Sequence, residues 1–292
     1  MPELPEVETV KRGLEPVMDG ARFERVEARR QDLRWPLPGD FVARLEGKTV
    51  RGLGRRAKYI TVDLSSGEVL LIHLGMSGSF RVTQDGSERR AGKYHHQHDQ
   101  HLTHDHVVFH MSSGARISFN DPRRFGSMKL VAREALDAEP LLRALGPEPL
   151  GDEFDAALLA RACGGKKTSL KAALSDQRVV AGLGNIYVCE ALWRAKLSPK
   201  RRASTIATRS GVPNERAQAL VEAIRHVLNE AIQAGGSSLR DHKRTDGELG
   251  MFQHHFAVYD RESERCPRRD GGIVKRIVQG GRSTFFCPAC QR

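Results

Sequence analysis

Short apolar runs separated by turn residues fill residues 23–130 of the chain. Residues 59–64 alternate apolar and polar side chains before Ser65-Ser66-Gly67, and residues 69–74 form another apolar run before Gly75. Such alternation, punctuated by Gly and Ser, predicts an antiparallel β-sandwich or barrel. Before it, residues 7–14 have apolar positions at helical spacing, which predicts a short amphipathic helix ending near Pro16.

The period changes after residues 135–152, which are rich in Pro and Gly and are predicted to form a linker. Apolar residues then recur at spacings of three and four in residues 154–161, 169–174, 186–196 and 216–234. This spacing predicts helices. A β part followed by a helical part predicts an α+β protein with more than one domain.

The 292 residues carry a formal net charge of +11. This charge favours a polyanionic partner, because each phosphate neutralised by Lys or Arg releases counterions; a generically basic protein is the alternative. No apolar run approaches the roughly 18 residues that span a bilayer, and the first residues do not resemble a secretory signal, so we expect a cytoplasmic protein without a membrane partner. Of the five cysteines, three cluster near the end of the chain, which favours metal binding over a secreted disulfide framework.

Pro2 would carry a free secondary amine once Met1 is removed, and no interior proline can supply such a nucleophile. α-Amino groups titrate near ~7.7–8.0, so an unprotonated fraction exists at neutral pH. Attack on a sugar C1′ would give an iminium, and Glu3 and Glu6 are close enough in sequence to move protons around it. The alternative is a frayed terminus with solvated carboxylates.

Residues 91–106 are polar and unusually rich in histidine. These histidines are His95, His96, His98, His101, His104 and His106. A transition-metal site is one interpretation, but composition alone sets no ligand spacing, so a flexible loop insertion is favoured.

Five short segments are rich in glycine, basic, aromatic or cysteine residues. They are Arg55-Arg56-Ala57-Lys58-Tyr59, His73-Leu74-Gly75-Met76-Ser77-Gly78, Asn120-Asp121-Pro122-Arg123-Arg124-Phe125-Gly126, and residues 182–187 and 281–291. Together with Pro2-Glu3-Leu4-Pro5-Glu6 they resemble, in order, the motifs of bacterial formamidopyrimidine-DNA glycosylase. The resemblance covers nearly the whole chain. It implies a catalytic β-sandwich domain (1–134), a linker (135–152), a helix-two-turn-helix domain with a lesion-capping loop (153–262) and a zinc-finger-like β-hairpin (263–292).

The resemblance implies a monomeric, nucleoid-associated repair enzyme that excises oxidised purines from double-stranded DNA through a Pro2 Schiff base and then cleaves the strand as an AP lyase. No organic cofactor is implied. In this family Glu3 is the general acid during base loss, Lys58 assists β-elimination and Arg282 is assigned to δ-elimination. Because an arginine with a pKa above ~12 donates protons poorly, we interpret Arg282 mainly as a phosphate fork.

Two alternative functions stay open. One is an endonuclease VIII-like glycosylase for oxidised pyrimidines, and the other is a non-catalytic binder of damaged DNA. Leu4 and the loop within residues 235–253 resemble the formamidopyrimidine enzyme more closely. They favour 8-oxoguanine and formamidopyrimidines as substrates.

The same resemblance implies a set of DNA contacts. An extruded base leaves a hole in the duplex that side chains must fill, and the DNA backbone must be held by its phosphates. The implied residues are Met76, Arg123 and Phe125 in a wedge, Lys166, Lys171 and Asn185 at phosphates, and His104, where the family pattern resumes. Met76 and Phe125 could instead be core residues. Asn185 could be a helix N-cap, and the lysines could simply be solvated.

The tail departs from the family, whose zinc finger has four cysteines. The candidate ligands here are Cys266, Asp270, Cys287 and Cys290. A carboxylate oxygen can bind zinc, so one Zn²⁺ in a Cys₃Asp site is predicted. Water as the fourth ligand, or a metal-free hairpin packed around Ile273, Ile277 and Phe286, are the alternatives. Asp260 replaces a family glycine and is predicted to strain the turn before the hairpin.

Overall fold

The structure is a computed structural model that describes residues 2–92, 102–237 and 251–292. The chain divides into two compact units, one formed by Met1–Arg143 and Ile232–Gln253, the other by Ala144–Ala231 and His254–Arg292. The domain limits inferred from the sequence, at residues 134, 152 and 262, stay predictions.

Helix α1, Leu4–Met18, opens the first unit. A capping box starts it: the Glu3 side chain accepts from the N–H of Glu6, and the Glu6 side chain accepts from the N–H of Glu3. The apolar face of α1 is buried. The helix extends beyond the predicted residues 7–14 and includes Pro16, because burial of this face outweighs the single backbone hydrogen bond that a proline removes.

Antiparallel strands make up most of the first unit. In chain order the elements are β1 (Phe23–Ala28), α2 (Phe41–Leu45), β2 (Val50–Arg56), β3 (Tyr59–Leu64), β4 (Glu68–His73), β5 (Ser79–Gln84), β6 (Ser87–Ala91), β7 (Asp105–Met111), β8 (Arg116–Asn120) and β9 (Ser127–Ala132). One sheet has the order β1-β7-β8-β5-β6 and the other the order β2-β3-β4-β9. Phe23, Phe80 and Phe119 from the first sheet share one buried cluster with Ile60 and Ile72 from the second. The predicted β-sandwich is confirmed.

The second unit is mainly helical. Its helices are α3 (Ala156–Cys163), α4 (Leu170–Ser175), α5 (Asn185–Arg194) and α6 (Glu215–Gln233). They fall within two residues of the predicted helical segments. Asp155 and Ser169 cap α3 and α4 by accepting from backbone N–H groups, which is why these short helices begin where they do.

The chain ends in a β-hairpin of β10 (Lys275–Gln279) and β11 (Arg282–Phe286), joined by two glycines with positive φ. Val274 and Phe285 pack with Cys189 and Val258 in a small buried cluster. Ile273, which the metal-free alternative placed in the packing, is half exposed. Among the residues that the structure describes, none of the helices has the length and apolar character needed to cross a membrane.

Candidate active site and metal centre

The start of the chain is buried rather than frayed. Pro2 is buried, and Glu3 and Glu6 are only 3% and 1% exposed. The N–H of Glu3 donates to Glu6 Oε2 over 2.9 Å, within the capping box. The alternative of solvated carboxylates is therefore wrong. Met1, whose removal is predicted, lies outside the described residues.

Glu6 also holds a distant part of its own unit. Its Oε1 accepts from the backbone N–H of Ser237 at 2.8 Å and from the Ser237 hydroxyl at 3.0 Å. Gly236 has a φ of +84°, and a Cβ there would come within 3.1 Å of Glu6 Oε1. Ser237 precedes residues 238–250 of the predicted lesion-capping loop, which lie outside the described residues. Glu6 thus has an anchoring contact that the sequence did not suggest, and its role as a proton shuttle stays a prediction.

Lys58 lies in the tight turn between β2 and β3 and is 7% exposed. Ala57, beside it, has a φ of 53°, a left-handed conformation that costs a non-glycine residue free energy. Arg55 holds this turn: its Nη1 donates to the Ala57 carbonyl at 3.0 Å, and its Nε donates to Glu8 on α1, also at 3.0 Å. The turn that carries Lys58 is therefore tied to the helix that follows Pro2.

Met76, Arg123 and Phe125 line one pocket of the first unit together with His73 and Arg34. The Arg123 guanidinium lies 4.9 Å from the centre of the Phe125 ring. Phe125 is 43% exposed, so its interpretation as a core residue is wrong. The structure brings the three predicted wedge residues together on two neighbouring loops.

His73 was missed by the sequence reasoning, although it opens the segment that contains Met76. Its Nδ1 accepts from the Gly75 N–H at 2.9 Å. Burial, helped by the charges of Lys58 and Arg34, lowers the pKa of His73 from 6.5 to about 4. The imidazole in this pocket is therefore neutral at neutral pH.

The histidine-rich tract divides at the edge of the described residues. His95, His96, His98 and His101 lie outside them. His104 ends a short 3₁₀ helix, Leu102–His104. His106 is buried on β7 with its Nε2 2.9 Å from the Asp121 carbonyl oxygen. Burial lowers the pKa of His106. Because His106 lies on β7, it is part of the sandwich rather than of a loop.

The remaining DNA-contact candidates belong to the second unit. The Asn185 side-chain amide donates to the carbonyl of Ser283 at 2.8 Å, next to the exposed Arg282. Asn185 is not the N-cap of α5, since Gly184 occupies that position. Lys166 is exposed, whereas Lys171 is only 2% exposed, which leaves little of its side chain accessible to a phosphate.

The four predicted metal ligands form one cluster. Their ligand atoms, from Cys266, Asp270, Cys287 and Cys290, all lie within 4.8 Å of one another. The Sγ atoms of Cys266 and Cys290 are 3.9 Å apart, and Cys287 Sγ is 3.9 Å from both Asp270 carboxylate oxygens. A tetrahedral ion with bonds of about 2.0–2.3 Å separates its ligands by nearly this distance. The residues therefore fit zinc.

Asp270 is oriented toward the cluster by its own loop. The N–H of Gly272 donates to its Oδ1 at 2.8 Å and lowers the pKa of the carboxyl. The Trp193 indole N–H donates to Cys266 Sγ at 3.4 Å and fixes the position of this sulfur. The donor set is thus three cysteine sulfurs and one carboxylate.

Comparisons with known proteins agree with this geometry. Family models described as the formamidopyrimidine-DNA glycosylase N-terminal domain, the formamidopyrimidine-DNA glycosylase H2TH domain and the zinc finger found in FPG and IleRS match residues 1–128, 145–243 and 263–292. The chain belongs to the formamidopyrimidine-DNA glycosylase family. The resemblance and the α+β fold class inferred from the sequence are confirmed.

Relatives match over their full length. Proteins named formamidopyrimidine-DNA glycosylase from Bradyrhizobium sp. (strain ORS 278) and Rhodopseudomonas palustris (strain BisA53) are 69% and 68% identical, each with 100% of both chains covered. Among solved structures, a complex of Lactococcus lactis Fpg with abasic-site DNA is 32% identical with a TM-score of 0.81, covering 99% of each chain. The MutM (Fpg) protein of Thermus thermophilus is 39% identical with the same TM-score, covering 99% of this chain and 98% of that one.

Proposed function

We propose that this protein is a base-excision DNA repair glycosylase and AP lyase that removes oxidised purines, namely 8-oxoguanine and formamidopyrimidines. The observation that carries the proposal is the buried, capped start of α1, which holds Pro2 and Glu3 in a defined position in a chain that covers 100% of a relative named formamidopyrimidine-DNA glycosylase. A purely DNA-binding protein would need no such ordered terminus. The net charge of +11 supports a DNA partner.

In the proposed reaction the Pro2 nitrogen attacks C1′ of the damaged nucleotide as the bond to the base breaks. Glu3 donates the proton that the sugar needs as it opens, leaving an iminium between Pro2 and C1′. Loss of a C2′ proton then expels the 3′ phosphate, with Lys58 assisting, and a further elimination expels the 5′ phosphate. Arg282 and Asn185 would hold the phosphates while the strand is cut.

Base recognition and wedge insertion complete the proposal. Met76, Arg123 and Phe125 would fill the hole left by the extruded nucleotide, and His104 and Lys166 would add backbone contacts. The solved Fpg relatives hold DNA containing an abasic site or a Fapy-dG lesion. We expect this chain to act on the same kind of duplex as a monomer at the nucleoid.

Zinc, one ion per chain, would be held by the Cys₃Asp cluster. It would supply folding energy to the hairpin and no chemistry at the sugar. The role of the hairpin in the reaction is to present Arg282 at the start of β11.

Borohydride trapping on duplex DNA with one 8-oxoguanine tests the proposal. The wild-type protein should form a covalent adduct, and Pro2→Gly should weaken or abolish it because a secondary amine is replaced by a primary one. Pro5→Ala, in the first turn of the same helix, is the matched control and should still trap. An equal yield from Pro2→Gly and wild type would refute the role of Pro2, and a wild-type protein that never traps would favour the binding protein.

Substrate preference and processing need two further measurements. Release of 8-oxoguanine should exceed release of thymine glycol, and the reverse order would favour the endonuclease VIII-like alternative. Intact-mass analysis should find the chain without its first methionine, since Pro2 has no free amine while Met1 is attached.

A further inference from the structure

We infer that Asp121 is the positioning residue that holds the wedge as one preformed block, an inference that rests on the proposed function. The wedge loops are residues 74–78, which carry Met76, and residues 121–126, which carry Arg123 and Phe125. Asp121 is fully buried and was not among the predicted site residues.

The Asp121 carboxylate joins the two wedge loops. Its Oδ1 accepts from the Ser77 hydroxyl at 2.5 Å, and its Oδ2 accepts from the Gly126 N–H at 2.8 Å. The Ser77 oxygen in turn accepts from the backbone N–H of Arg123 at 3.2 Å. The residue after Met76 and the residue after Phe125 therefore meet at this side chain, and the backbone of Arg123 is linked to it through Ser77.

The Asp121 backbone also contacts His104, the remaining DNA-contact candidate of this unit. Its N–H donates to the carbonyl of His104 at 3.0 Å. Its own carbonyl lies 2.9 Å from His106 Nε2 and accepts from the Arg124 N–H at 3.1 Å. The segment that follows the histidine-rich tract is thus fixed to the same residue as the wedge.

Glycines let the two loops touch through their backbones. Gly75 has a φ of +65°, and a Cβ on it would lie 2.3 Å from the carbonyl carbon of Phe125. A Cβ on Gly126 would lie 3.0 Å from Asp121 Oδ2. A side chain at Gly75 would therefore force the two loops apart.

A preformed wedge has a kinetic advantage. Filling the hole in the duplex requires an apolar side chain, a guanidinium and an aromatic ring in a fixed relation, and loops that order only on insertion would lose conformational entropy at that step. Asparagine replaces Asp121 only in part, because with its oxygen on the Gly126 N–H its NH₂ group can donate to the Ser77 oxygen but cannot accept from the Ser77 hydroxyl, which loses its acceptor.

The test compares two substrates with each variant. One is a duplex with 8-oxoguanine opposite cytosine; the other has the same lesion opposite a site that lacks a base, where no partner base must be displaced. Ser77→Ala and Asp121→Asn should reduce kcat/KM by about tenfold on the first substrate, as expected for loss of one or two buried hydrogen bonds. On the second substrate the same variants should reduce kcat/KM by less than about threefold. Ser118→Ala is the matched control, since Ser118 is buried on β8 and its hydroxyl has no partner among the described residues.

Equal losses on the two substrates would overturn the inference, because a general loss of folding or of catalysis does not depend on the opposite base. Identical behaviour of Ser77→Ala and Ser118→Ala would overturn it as well. Ser77→Ala alone decides the question if Asp121→Asn does not fold. Failure of the proposed function has a different signature, namely a wild-type protein inactive on both substrates.

Discussion

The N-terminal sandwich, residues 2–132, and the metal hairpin, residues 263–292, hold their functional candidates by different physical means. In the sandwich, Glu3, Glu6 and Asp121 are buried and hydrogen-bonded over a large apolar core. In the metal hairpin, Val278 is 68% exposed, and the four candidate ligands gather in one cluster beside a small apolar cluster that includes Val274 and Phe285. The stability of the sandwich should therefore depend on pH and on substitutions in its core, and the stability of the hairpin should depend on bound metal.

This difference explains how the metal hairpin accommodates Asp270. A carboxylate carries the same single negative charge as a thiolate, so the total charge of the ligand set is unchanged. The Gly272 N–H holds the Asp270 carboxylate in place beside the sulfurs. A comparable exchange at Asp121, where both oxygens have fixed donors in two loops, would leave a buried group unpaired.

The largest effect is expected from Cys287→Ser, or from a strong chelator. Zinc binding contributes on the order of 10 kcal/mol in zinc-finger peptides, so β10 and β11 should lose their hydrogen-exchange protection. The two tryptophans report the regions separately: Trp193 contacts Cys266, and Trp35 lies in the sandwich under Arg34. Single-tryptophan variants should show a lost Trp193 transition and an unchanged Trp35 transition.

Cys163→Ala is the control for Cys287→Ser, because Cys163 is buried in α3, away from the metal ligands. It should keep its zinc in a metal assay. A Cys287→Ser protein that also keeps zinc, or a chelated protein with an unchanged hairpin, would contradict the structural role of the ion.

His73 should make the sandwich sensitive to acid. Because its pKa falls from 6.5 to about 4 on folding, the unfolded chain takes up a proton first as the pH falls. The free energy of unfolding should therefore decline between about pH 6.5 and 4 and then level off, by up to about 3 kcal/mol. His73→Asn keeps an acceptor for Gly75 and should remove this part of the decline in urea unfolding followed by Trp35. Parallel curves for the variant and the wild type would show that His73 is not the group responsible.

Replacing Asp270 should change how tightly the hairpin holds zinc. Asp270→Cys restores four thiolates and should slow chelator-driven metal loss by about tenfold, or about 1.4 kcal/mol, while Asp270→Ala should accelerate it. With Co²⁺ as a probe, the sulfur-to-metal charge-transfer band should strengthen in Asp270→Cys relative to the wild type. Identical release rates in all three proteins would mean that Asp270 is not a ligand.

The sequence predicted what depends on local pattern. Alternation and spacing located the sandwich and the helices, and the motif segments singled out Pro2, Lys58 and the candidate wedge residues, whose roles stay predictions. Asp121 was missed because its partner Ser77 is 44 residues away along the chain. His73 was missed because the sequence does not reveal the burial that lowers its pKa. For Lys171 the alternative of a solvated side chain is wrong, since tertiary packing buries it, and its phosphate contact stays a prediction.

Glu190 is a further example of a contact beyond the reach of sequence patterns. This fully buried carboxylate on α5 accepts from the backbone N–H groups of Ala257, Val258 and Tyr259, directly before the turn at Asp260. Nothing in its local sequence separates it from the exposed glutamates of other helices. The partners that identify it are 67 to 69 residues away.

The smallest effect is expected at the backbone of Asp260. The predicted strain is present, since its φ is 58°, where glycine is free of the steric cost that an L side chain incurs. Asp260→Gly should therefore stabilise the metal hairpin by about 0.5–1 kcal/mol in the Trp193 transition. Asp85→Gly is the matched change in the sandwich, at a φ of 50°, and should affect only the Trp35 transition. If Asp260→Gly instead destabilises the hairpin, the aspartate side chain makes an interaction that outweighs the backbone strain. The hairpin would then depend on a side-chain interaction as well as on metal, as the sandwich depends on buried hydrogen bonds.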